Sequence, residues 1–185
     1  MIDIVPYDPM RHRRGVREVL AKNGWEEHYI AGQLAGLDVL SADPLPGTRG
    51  KVCVCEVEDR LSGFACVEYR LWNRLGQLQG LAVDPAFKRL GIASELVHRA
   101  EEFVQAERGR GLYADTPLTN ETGRSFCEAL GYRQAYVMPE YYEEELDGVT
   151  YLKLFPQLEV PARETFFTLV RGRGVLRSSD APFAC

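Results

Sequence analysis

Nothing polar between Gln77 and Ser94 reads as a nucleophile, yet this run has the chemistry of a phosphate cradle. Its residues are Gln-Leu-Gln-Gly-Leu-Ala-Val-Asp-Pro-Ala-Phe-Lys-Arg-Leu-Gly-Ile-Ala-Ser. An apolar strand leads through a proline turn into a basic helix start. The first backbone N–H groups of a helix have no partner within it, and the helix dipole favours negative charge there. Lys88 and Arg89 add positive charge. Gly91 and Ala93 remove side-chain bulk, so a ligand can approach the backbone.

The thiols offer a second chemistry. The five cysteines are Cys53, Cys55, Cys66, Cys127 and Cys185. Cys53 and Cys55 alternate on a strand and point to one face. A metal site needs further ligands nearby, and the three histidines, His12, His28 and His98, are scattered. No metal is expected, and the cysteines read as buried small hydrophobes. An odd count, with no signal-peptide pattern at the N-terminus, points to reduced thiols in a cytoplasm.

Four segments carry a family likeness. Lys88-Arg89-Leu90-Gly91-Ile92-Ala93 resembles the (Gln/Arg)-x-x-Gly-x-(Gly/Ala) pyrophosphate loop of the GNAT family of N-acetyltransferases. Leu81-Ala82-Val83-Asp84-Pro85 is similar to the family's fourth strand and its exit turn. Asn120, followed by Phe126-Cys127-Glu128-Ala129-Leu130-Gly131-Tyr132, resembles its Asn…Phe-Tyr-x-x-x-Gly-Phe segment. The opening Ile2-Asp3-Ile4-Val5-Pro6-Tyr7-Asp8-Pro9 is similar to its first strand and turn. The likeness spans roughly residues 2–155, and the loop, the strand before it and the Asn…Gly-Tyr segment occur in the family's order.

The resemblance implies acetyl-CoA as the donor, without a metal. It assigns backbone groups of Leu81, Ala82 and Val83 to the pantetheine arm, with the Leu81 N–H polarising the thioester carbonyl. Lys88, Arg89, Leu90, Gly91, Ile92, Ala93 and Ser94 would hold the pyrophosphate, and Asn120 would complete the donor site. The catalytic positions depart from the pattern. Where many members carry a Glu two residues before the strand-end Leu, this chain has Gln79, which can orient a water but takes no proton at neutral pH. Where many carry an acidic Tyr, it has Cys127, which either packs or donates a proton. Tyr141 and Tyr142 resemble a tyrosine pair near the acceptor site of several members. They either donate a proton and line the amine pocket or simply anchor their segment. Glu140, Glu143, Glu144, Glu145 and Asp147 lie around them with no basic residue. That run is either a solvated face or a field attracting a cationic amine.

The elements that must position these groups follow from pattern. Residues 2–5 alternate as a strand, and Asp8-Pro9 opens a helix that Asn23-Gly24 stops. Trp25 to Leu40 reads as a second helix. Residues 51–58 and 62–70 are strands around a hairpin at Asp59-Arg60, and Leu75–Val83 is the next strand. Gly80 inside it hints at a bulge or a close backbone approach. Ala93, Leu96, Val97, Ala100, Phe103 and Val104 recur at helical spacing. A strand at 112–116, a helix from Asn120 and strands at 132–138 and 149–155 close the domain. The segment from Tyr141 to Gly148 then connects the last two strands.

The order is that of an α/β (α+β) layered fold. It is also the element order of the GNAT fold, whose mixed, mostly antiparallel sheet of about seven strands is flanked by about four helices. Residues 1–155 read as an N-acetyltransferase domain. Residues 156–185 read as an extension that could form a hairpin around Arg171-Gly172-Arg173-Gly174. One such short copy fits a turn better than an RNA contact. The chain of 185 residues carries a net charge of −5, against a nucleic-acid partner. It has no apolar run of membrane length.

The expected activity is transfer of an acetyl group from acetyl-CoA to a primary amine by direct attack. The acceptor is a small molecule or a peptide N-terminus, with a homodimer allowed. An α-amine of pKa about 8 is roughly 10% neutral at pH 7, and a lysine amine of about 10.4 well under 0.1%, so an enzyme without a strong base suits the former. A non-catalytic CoA-binding sensor or scaffold is the reading from a different class.

Overall fold

The computed structural model describes residues 2–42 and 44–156. The hairpin expected beyond them lies outside the described residues. Strand β1 (Ile2–Pro6) leads into helix α1 (Pro9–Lys22). The Asp8 side chain accepts from the N–H groups of Met10 and Arg11, and proline takes the first helical turn. Helix α2 (Glu27–Ala42) follows, then strands β2 (Thr48–Val57), β3 (Arg60–Arg70) and β4 (Leu75–Val83). A single 3-10 turn (Pro85–Phe87) precedes α3 (Ile92–Ala106), β5 (Gly111–Pro117), α4 (Glu121–Ala129), β6 (Arg133–Glu143) and β7 (Leu146–Leu154).

The strands form one sheet in the order β1-β2-β3-β4-β5-β7-β6. Only β4 and β5 run parallel. This is the expected mixed, mostly antiparallel sheet of seven strands, with four helices among the described residues. Alternation along the strands divides the core in two. Val52, Val54, Phe64, Cys66 and Ala82 pack under α1 and α2. Cys53, Cys55 and Ala65 face the other way, onto Ile92 and Leu96 of α3. Val67, Tyr69, Leu112, Val149 and Tyr151 continue that face beneath α3 and the half-buried Phe126, Cys127 and Leu130 of α4.

Three elements differ from expectation. Helix α2 starts at Glu27 rather than Trp25, whose indole is 37% exposed. The β2–β3 hairpin turns on Glu58 and Asp59, with φ of 51° and 59°. That positive pair is what a two-residue turn matched to strand twist requires. The largest change is at β6 and β7. Tyr141 and Tyr142 belong to β6, not to a connecting loop, and pairing runs out to Glu143 opposite Leu146. A register irregularity between Met138 and Glu143, with Glu140 at φ 50°, breaks the alternation that would mark a strand. Among the described residues no helix is long and apolar enough to cross a membrane.

Candidate functional site

The sheet opens in its middle. Strands β4 and β5 pair only from Leu75 opposite Gly111 to Leu78 opposite Ala114. Beyond that point β4 stays with β3, and β5 stays with β7. The opening coincides with a bulge: Val67 faces Leu78 and Cys66 faces Gly80, so Gln79 is the extra residue. The backbone approaches α2 closely at Gly80: a Cβ would meet Gln33 Nε2 at 2.5 Å and Cys66 Sγ at 3.0 Å, so a larger residue there would have to displace the Gln33 amide.

Backbone alternation sets what faces the opening. Asp84 N–H donates to the Ser62 carbonyl at 2.8 Å, so Ala82, two residues back, also bonds toward β3. The backbone groups of Leu81 and Val83 therefore turn toward the opening. The Val83 carbonyl accepts from Asn23 Nδ2 at 3.0 Å. The N–H and C=O of Leu81 and the N–H of Val83 remain for a ligand.

The opening ends at α3. Asp84, 3% exposed, holds the turn into it. One oxygen accepts from Ala86 N–H at 2.9 Å and the other from Lys22 Nζ at 2.6 Å. Burial works to raise this carboxyl, but Lys22 and the Ala86 N–H overcome it and hold it below its ordinary value. Arg89 and Gly91 then adopt left-handed φ of 68° and 81°. Gly91 caps α3 without a side-chain bond, and a Cβ there would meet nothing within 4 Å. The first helical bond runs from Glu95 N–H to the Gly91 carbonyl at 3.0 Å. Among the described residues, the N–H groups from Arg89 to Ser94 have no acceptor. Such a run of free backbone N–H groups is suited to an anion, and Lys88 and Arg89 are exposed beside it.

A polar network lies on the α2 face beside the same opening. Glu68 of β3 accepts from Arg70 Nε at 2.7 Å and from Gln79 Nε2 at 3.2 Å. Arg70 also reaches the Tyr113 hydroxyl at 3.1 Å and Gln77 Oε1 at 3.0 Å. Gln77 Nε2 donates to Asp115 at 3.0 Å, and the Thr150 hydroxyl donates to its other oxygen. Tyr141 lies over Gly148, where a Cβ would come within 2.7 Å of its ring. It meets Tyr142 edge to face at 4.9 Å. Burial foremost, then the charge of Asp115, raises both phenols above their ordinary range, Tyr142 strongly. Tyr29 of α2 donates to Glu143 at 2.6 Å and so ties the helix to the β6–β7 hairpin.

Gln79, Tyr141 and Tyr142 thus share one face of the opening. Cys127 sits apart, within the α4 packing on the other face. Burial first, and Glu128 second, push its thiol up to about 11. Asn120 caps α4, accepting from Gly123 N–H at 3.0 Å and donating to the Thr116 hydroxyl at 2.9 Å. Two carboxylates at the opening, Glu68 and Asp115, were absent from the sequence reading. Their signal was a charge two residues from another polar group in an apolar strand: Glu68 with Arg70, and Tyr113 with Asp115. Among the described residues no group of three or more His, Cys, Asp or Glu stands close enough to hold a metal.

A mixed sheet parted between two parallel strands, with a helix N-terminus closing the gap, is the arrangement that the resemblance to the GNAT fold implied. The model of the acetyltransferase (GNAT) family matches residues 21–132, and the chain belongs to that family. It is 26% identical over 109 residues to an uncharacterised N-acetyltransferase of Methanocaldococcus jannaschii, covering 58% of this chain and 69% of the relative. An acetyltransferase of the GNAT family from Desulfovibrio desulfuricans superposes with a TM-score of 0.75 at 19% identity, over 83% of this chain and 99% of that one. An aminoglycoside 6'-N-acetyltransferase solved with coenzyme A superposes with a TM-score of 0.68 at 18% identity, over 85% and 99%. The chain is an N-acetyltransferase of this family.

Proposed function

We propose that residues 1–155 transfer the acetyl group of acetyl-CoA to a primary amine by direct attack, in the cytoplasm. The observation that carries this is the continuity of the donor groove. Leu81 and Val83 turn free backbone groups into the parted strands, and the free N–H groups of Arg89 to Ser94 lie where β4 leads into α3. An extended thiol arm fits the first part and a pyrophosphate the second. The structural relative solved with coenzyme A supports the same use of the fold.

Acetyl-CoA, when bound, supplies an activated acetyl group. The chain's own part is to bind, orient and move protons. The Leu81 N–H is directed into the opening, where it can bond the thioester oxygen. The N–H groups of Arg89 to Ser94, with Lys88 and Arg89, hold the pyrophosphate. Attack needs a neutral amine and a proton for the departing thiolate. The phenols of Tyr141 and Tyr142 stay protonated at neutral pH, because burial and Asp115 oppose their ionisation. Either can donate that proton. Gln79 is bonded to Glu68 and so brings a carboxylate to the bulge.

The test is release of CoA thiol from acetyl-CoA across a panel of small amines and peptides with free N-termini. Amine-dependent release is expected. Tight acetyl-CoA binding with no release for any amine would make the chain a CoA-binding sensor instead.

A further inference from the structure

We propose that Asp115 is the specificity-determining residue for the acceptor, binding a second cationic group and selecting a diamine or longer polyamine. This rests on reading the chain as an amine acetyltransferase.

Three observations converge on it. The first is charge. Asp115 is half-buried and forms no ion pair among the described residues. Its bonds come from two neutral donors, the Gln77 amide and the Thr150 hydroxyl. The nearby cation, Arg70, is engaged with Glu68, Tyr113 and Gln77. The network of Glu68, Arg70 and Asp115 thus keeps one uncompensated negative charge. A carboxylate drawn partly out of water without a cation favours a cationic ligand. Each of its oxygens retains acceptor capacity.

The second is surroundings. Asp115, Thr150 and Tyr136 lie in register across three neighbouring strands. Tyr141, over Gly148, and Tyr142 stand on the same face. The charge of Asp115 contributes to raising the phenols of Tyr113, Tyr141 and Tyr142. Tyr136 and Tyr141 are 51% and 42% exposed, so this tyrosine-lined bay is open to solvent. Aromatic faces beside a carboxylate suit an ammonium group.

The third is distance. Asp115 is the first β5 residue past the last β4–β5 pair. Leu81 lies three residues past the same point on β4, an offset of two residues or roughly 7 Å along the strands before the gap between them is added, a separation that about four to six methylenes can span.

The experiment compares kcat/KM for n-butylamine, 4-amino-1-butanol, 1,4-diaminobutane and 1,6-diaminohexane. Wild type should favour the diamines by about 10-fold or more, within the range of a charge-assisted contact. Asp115→Asn should remove that preference, read as the ratio of kcat/KM for each diamine to that for its monoamine, and leave the acetyl-CoA-induced rise in Tm unchanged. Tyr136→Leu, at an exposed ring, should weaken diamine use several-fold by itself. It decides the matter should Asp115→Asn not fold. Equal use of monoamines and diamines by wild type overturns the proposal, as does an equal loss on both in either variant. Thiol release from monoamines would then still stand as evidence for the acetyltransferase. No release with any amine would instead sink the acetyltransferase reading itself.

Discussion

Tyr142 and Cys127 carry the two proton-donor chemistries, and their surroundings separate them. Tyr142 faces the network of Asp115, while Cys127 lies in the apolar packing of α4. Tyr142→Phe keeps the ring and removes the hydroxyl. We expect turnover to fall by about 10²-fold with acetyl-CoA affinity unchanged, as general-acid loss does. Should Tyr141 be the donor, the same loss moves to Tyr141→Phe; full turnover in both variants removes the phenols from the mechanism. Cys127→Ala should cost about 1–2 kcal/mol of stability in a denaturant titration and leave turnover intact. The end of β4 and the start of α3 were legible because their signals are local: Leu81, Arg89 and Gly91 lie within one strand and one helix start. Glu68 and Asp115 were not legible, because strand pairing alone brings β3, β4 and β5 side chains together.

At the scale of elements, one ion pair fixes the turn between β4 and α3. Lys22 ends α1, and Asp84 follows β4 and starts the turn into α3. Asp84→Ala leaves the Ala86 N–H and Lys22 without their acceptor and should cost about 1–3 kcal/mol. Thermal melts at pH 7 check this. Because the folded carboxyl lies below its ordinary value, its contribution is present above the unfolded pKa of about 3.9 and fades as pH falls through the folded value. The gap in Tm between wild type and Asp84→Ala should therefore shrink in strong acid, and a constant gap would place the loss elsewhere. The starts of α1 and α3 were readable from caps and glycine. The outer parts of β6 and β7 were not, since five acidic residues and a register irregularity hide the alternation there. What holds Tyr141 in a strand is its packing on Gly148, a contact with no local signature.

For the whole molecule, two packed faces support a sheet that is deliberately unpaired at its centre. The layers, the element order along the chain and the helix after β4 were implied by the order of motifs. Which side chains meet on the open face was a product of the finished fold. The central question is whether that opening holds acetyl-CoA. A ligand bound only by the folded state adds about 2.7 kcal/mol at 100 times its Kd, so binding is readable in both calorimetry and Tm. The decisive measurement titrates acetyl-CoA into wild type, Gly91→Ala and Gly91→Glu. At φ 81° any side chain is strained, so both variants should lose about 1–2 kcal/mol of stability. A methyl at this position meets no protein neighbour and is far smaller than a glutamate, so it should lower affinity much less than that variant does. A carboxylate there places negative charge in the anion site, and we predict at least about a 100-fold loss of affinity, equivalent to about 2.7 kcal/mol. Acetyl-CoA binding to Gly91→Glu as tightly as to wild type would contradict the assignment.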